Sequence, residues 1–97
     1  MREYEIMFIM KPDLAEEILV ETKDKLRKVI DDFGGEFTAE VPGWSKKRMA
    51  YKIEDYQEGI YALWNFKGMP ETVKELDRVI KISDKIIRHI VIRKDEK

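Results

Sequence analysis

Cysteine is missing from this 97-residue chain. That excludes a disulfide framework, a thiol nucleophile and any cysteine-ligated metal centre. Histidine occurs once, at His89, so neither a histidine-rich metal site nor a network of histidine bases can be assembled. No apolar run approaches the roughly 20 residues that a membrane-spanning helix needs. Glu3 and Glu5 interrupt the opening MREYEIMFIM before it can act as a secretory core. Charge of one sign is lacking too: the formal net charge is −1. These absences lead us to expect a soluble, cytoplasmic protein with no metal, no cofactor, no small-molecule substrate and no membrane partner. Its length suits one domain, over residues 1–97, with a core that needs no covalent staple.

The near-neutral total hides a division. Residues 1–45 hold six Lys or Arg against eleven Asp or Glu, and residues 46–97 hold thirteen against nine. A chain divided in this way can present a local basic patch while remaining slightly acidic as a whole. The densest stretch is WSKKRMAY, where Lys46, Lys47 and Arg48 stand between Trp44 and Tyr51. Further cations follow at Lys81, Lys85, Arg88, Arg93 and Lys94.

The periodicities define the elements. YEIMFIM, residues 4–10, is apolar in both phases, as a central strand should be. Lys11-Pro12 stops it. Asp13 then reads as a helix N-cap with Glu16 three residues on, and Leu14, Ile18, Thr22, Leu26, Val29, Ile30 and Phe33 form a helical stripe ended by Gly34-Gly35. Phe37, Ala39 and Val41 alternate with polar residues along a half-buried strand that Pro42-Gly43 breaks and KRMAYKI resumes. EDYQEG, with Gly59, reads as a turn. IYALWNF is apolar in both phases again, Pro70 opens a second helix striped by Val73, Leu76, Val79 and Ile80, and DKIIRHIVIR closes with a strand.

Strand, helix, strand, strand, helix, strand is the ferredoxin-like split βαβ order. It predicts an α+β fold: a four-stranded antiparallel sheet with both helices on one face and the first and third strands in the middle. Helices can cover only one phase of those strands. The other phase must leave apolar residues on an open sheet face, which marks an interaction surface or lies beneath long Lys and Arg stems.

No catalytic constellation accompanies the fold. The carboxylates fall mostly on solvent positions of the helices, and Gly34-Gly35 is a helix stop, not a phosphate loop. Acylphosphatase-like enzymes of this topology carry an arginine after the first strand, where this chain has MKPDL. We therefore expect no enzyme. His89, inside an apolar strand, reads as structural, with contact to a phosphate as the other possibility. The basic block has two readings on its own: it grips RNA phosphates beside the Trp44 ring, or it protects an edge strand from pairing.

The opening MREYE, the glycine pair after the first helix, WSKKRMAYKI, EGIYALWNF and ISDKIIRHIVIR together resemble the bacterial small-subunit ribosomal protein number six family across residues 2–93. The family pattern has glycine after the tryptophan, where this chain has Ser45 and one additional cation. The resemblance implies a non-catalytic constituent of the small ribosomal subunit. Such a protein binds the central domain of small-subunit ribosomal RNA as a heterodimer with ribosomal protein eighteen during platform assembly. It also implies RNA contacts by Arg2, Lys46, Lys47, Arg48 and Arg88, to which the reading of the basic block adds Trp44 as a stacking surface. Tyr61 and Leu63 are the candidates for the partner surface. The alternatives are a self-associating module and a generic RNA-binding module of the same topology. The second lacks the basic-Gly-aromatic signature of RNA-recognition motifs on its third strand.

Overall fold

The computed structural model describes residues 1–42, 46–53 and 56–94, the stretch 46–53 by its backbone alone. The elements run β1 (Arg2–Met10), α1 (Glu16–Asp32), β2 (Glu36–Glu40), β3 (Lys46–Ile53), β4 (Tyr56–Gly68), α2 (Pro70–Ile82) and β5 (Ile86–Arg93).

β4 is the spine of the sheet. One edge of it pairs antiparallel with β1, from Arg2↔Gly68 to Met10↔Ile60. The other edge takes β2 along Trp64–Lys67 and then β3 along Tyr56–Ile60. β2 and β3 are thus two lengths of a single lane, interrupted where the proline-glycine break was expected. β5 pairs with the free edge of β1, so β1 and β4 are the central strands and the sheet has four antiparallel lanes. This is the expected ferredoxin-like architecture.

The phase question resolves cleanly. Tyr4, Ile6, Phe8 and Met10 of β1 and Ala62, Trp64 and Phe66 of β4 are buried in one cluster with Leu26 and Ile30 of α1 and Leu76, Val79 and Ile80 of α2. Both helices therefore cover the same face. Trp64 is the pivot, with its ring edge-on to Phe8 at 4.9 Å and to Phe37 at 5.1 Å between centroids. Such pairs add to the burial of their area.

Three local expectations are corrected. α1 begins at Glu16 with Ala15 as its N-cap, not at Asp13, and no side chain caps it. The Ala15 carbonyl takes the first helical bonds, from the N–H groups of Ile18 and Leu19, and Glu16 and Glu17 put negative charge against the positive helix end. β4 begins at Tyr56, paired with Ile53, so the last four residues of EDYQEG are strand. Gly59 accordingly lies within β4 and not in a turn. It is buried, and a Cβ there would collide with Cγ2 of Ile9.

The junction between α1 and α2 is fixed by a residue outside the apolar stripe. Thr72 is fully buried; its hydroxyl donates to the Phe33 carbonyl at 2.6 Å and accepts the Met69 N–H at 3.0 Å. Gly34 has a left-handed φ of 81°, which suits glycine alone, and Gly35 packs so closely that a Cβ would lie 2.8 Å from Thr72.

Candidate nucleic-acid and partner interface

Strand pleating sends Glu5, Met7 and Ile9 of β1 to the face without helices, opposite Asn65, Leu63 and Tyr61 of β4 and Ile92, Ile90 and Arg88 of β5. Tyr61 and Leu63, the two partner candidates, stand together at the middle of this open face. Ile9 is 3% exposed despite having no helix above it, because it sinks against the bare Gly59 backbone. Ile90 and Ile92 are left 50% and 49% exposed. Ala39 and Val41 continue the apolar surface past β4, Val41 being held there by its N–H to the Leu63 carbonyl at 2.8 Å.

Ile90 and Ile92 were not among the sequence candidates. Their signal was present: IIRHIVIR is apolar in both phases, like the two central strands, although β5 is an edge strand. Two-sided apolarity at an edge means that the outer phase is covered by neither helix.

The predicted cations divide between the two ends of the sheet. Lys46, Lys47 and Arg48 open β3, with backbones paired to Ile60, Gly59 and Glu58. Across the sheet in the same direction come Met10 and then Ile86. Lys11 donates its N–H to the Lys85 carbonyl at 3.0 Å, which gathers those two lysines at the same end, one residue pair beyond Met10↔Ile86. Arg88 is exposed on the open face and has no ion-pair partner among the described residues. Arg2 is exposed at the opposite end, facing Gly68. Eight residues of strand separate it from Met10, about 27 Å. Arg2 and the basic block therefore stand at opposite ends of the sheet, too far apart to share one small anion. Trp44 lies outside the described residues.

Electrostatics at the basic end are local. Lys85 binds Asp84 at 3.0 Å and, with Lys11 further off, holds that carboxyl below its usual range. His89 is turned to the helix side. Its Nε2 lies 2.6 Å from Oδ1 of Asp77 on α2, and Lys81 holds Oδ2 of the same carboxylate at 2.9 Å. The Lys81 and His89 bonds keep the Asp77 carboxyl below its ordinary pKa, the Lys81 bond being the larger cause. The structural reading of His89 is thus given a partner. Among the described residues, no group of three or more His, Asp or Glu could hold a metal ion, and no helix is long and apolar enough to cross a membrane.

Comparison with known proteins adds the following. The family described as ribosomal protein S6 matches residues 3–93. The small ribosomal subunit protein bS6 of Syntrophomonas wolfei is 64% identical over 97 residues, covering 100% of both chains. That of Moorella thermoacetica is 46% identical over 96 residues, covering 99% of this chain and 97% of its own. The crystal structure of 30S ribosomal protein S6 from Thermotoga maritima superposes with a TM-score of 0.88 at 26% identity, covering 96% of this chain and 87% of that one.

Proposed function

The chain belongs to the ribosomal protein S6 family, and on that premise we propose that it binds the central domain of small-subunit ribosomal RNA as a heterodimer with ribosomal protein eighteen of the same subunit. In this reading it is a structural part of the cytoplasmic small ribosomal subunit and has no catalytic role. The observation that carries the proposal is the open sheet face. Ile90 and Ile92 are half exposed on the same face as Leu63 and Tyr61, across β1 from them, and cations gather at one end of the same sheet. An uncovered apolar surface of this kind calls for a protein partner. The flanking cations suit phosphates, with affinity that falls as salt rises.

The division of labour follows from charge. A chain of net charge −1 exerts little long-range pull on RNA. A more basic partner seated on the open face supplies that pull, while Arg2, Trp44, Lys46, Lys47, Arg48 and Arg88 make local contacts. A mobility-shift titration of a central-domain RNA fragment with this chain, with the partner and with both tests the proposal. Tight binding only with both present is the expected result. Tight, salt-steep binding by this chain alone sinks the heterodimer requirement, and a stable homodimer by light scattering favours self-association through the same face. Replacing Lys46, Lys47 and Arg48 by Ala together should flatten the salt dependence by about one unit per lost phosphate contact. An unchanged slope leaves those residues as edge protection.

A further inference from the structure

The outer edge of β5 holds a feature that the heterodimer reading does not use. A cavity of about 270 Å³ opens there, lined by Lys81 and Ser83 from the end of α2, by Arg88 and His89 of β5, and by Ile80 and Ile86 at its base. No carboxylate is among its lining residues. The pairing of β5 with β1 shifts register between Ile9 and Met10, and Ile87 is the extra residue that bulges there. The bulge spreads the strand edge at the cavity.

The backbone contributes as well. Lys94 donates its N–H to the Glu3 carbonyl at 2.9 Å. Antiparallel alternation then turns the N–H groups of Ile92, Ile90 and Arg88 toward β1, and those of Val91 and His89 toward the free edge. One outward N–H, the Ser83 hydroxyl and the Lys81 and His89 side chains thus meet at one cavity, and Arg88, whose side chain leaves β5 on the open face, borders it at the strand edge. Asp77 offsets part of this charge, but its carboxylate oxygens are engaged by His89 and Lys81 and hold those two side chains in place. Asp84, next to Ser83 in the chain, is bound to Lys85 and points into solvent, its side chain 84% exposed. Arg88 has no ion-pair partner among the described residues.

We infer that this cavity is a phosphate site, and that its occupant is a backbone phosphate of the RNA the protein binds. The inference rests on the RNA-binding reading above and extends it around the β5 edge to Lys81, Ser83 and His89. Arg88 links the two regions, since it stands on the open face and also lines the cavity. A backbone phosphodiester, a monoanion with two unesterified oxygens, suits a guanidinium, an ammonium and a backbone N–H together.

The sole histidine makes the site directly observable. Inorganic phosphate, titrated into the isolated protein at constant ionic strength, should shift the His89 ring resonances saturably. Lys81→Gln with Arg88→Gln should abolish the response, and Lys74→Gln with Arg78→Gln, on the outer side of α2, should leave it intact. Arg88→Gln alone serves if the double variant melts early. With partner and RNA fragment present, the double variant should bind about tenfold more weakly, with a salt slope smaller by about one. Ring signals unmoved by phosphate while the wild-type pair still binds RNA overturn this inference alone. Phosphate shifts without any change in RNA affinity overturn it too, leaving an adventitious ion only. Failure of the wild-type pair to bind RNA removes the underlying reading and this inference with it.

Discussion

Single residues at the two glycine-rich contacts and the helix junction have outsized effects because nothing near them can move. The Thr72 hydroxyl joins the end of α1 to the start of α2 with two bonds inside a fully buried site. Thr72→Val keeps the shape and leaves the Phe33 carbonyl and Met69 N–H unmatched, so it should cost about 1–3 kcal/mol in denaturant unfolding. Gly59→Ala puts a methyl into the space of Ile9 and should cost about 1–3 kcal/mol through overpacking. The loss should be smaller when Ile9→Ala is made together with it, and a double-mutant cycle reads that coupling. If the two changes are simply additive, Ile9 is not what Gly59 accommodates.

Among the elements, α2 and β5 are joined on their outer side by Asp77, Lys81 and His89. The Asp77 carboxyl is held below its ordinary value of 3.8, first by Lys81 and then by His89. A carboxyl lowered on folding stabilises the fold above that value and loses the contribution as pH falls through its folded value. Asp77→Asn should therefore destabilise the protein at neutral pH, by under about 1 kcal/mol because the side chain is partly solvated. Thermal melts of the two proteins should converge as pH falls below 3.8. A gap that persists at low pH would mean that Asp77 acts through packing and not through its charge.

For the molecule as a whole, the asymmetry of the sheet matters most. One face is sealed by both helices, and the other keeps Ile90 and Ile92 half in water. Changing both to Thr retains the β-branched shape that a strand favours and removes apolar contact. The expected outcome is a loss of under about 1 kcal/mol in the isolated protein, since both are already half hydrated. Against ribosomal protein eighteen, calorimetry should show binding weaker by about a hundredfold, as expected when central apolar anchors are lost. Equal losses in stability and in binding would argue that the two isoleucines serve the fold and not the partner.

The amino-acid sequence by itself determined the order of elements, the central place of the two strands that are apolar in both phases, the break at Pro42-Gly43 and the segregation of basic residues into the second half of the chain. These are properties of local pattern, and hydrophobic periodicity reports them directly. It also carried the motifs on which family membership is legible. Pattern alone was silent on phase, because a strand apolar on both sides looks the same whichever side the helices cover. It misplaced the start of α1, where an Asp-x-x-Glu spacing resembles a capping box but Ala15 is the N-cap. It took Gly59 for a turn, because a glycine kept for the close passage of Ile9 carries no local mark of that contact. It also named Lys81, Arg88 and His89 separately without bringing them to one cavity. Only the tertiary structure decided these points: the pairing register of β1 with β4 and β5 fixes which residues share a face, and side chains distant in sequence meet only once that register is set.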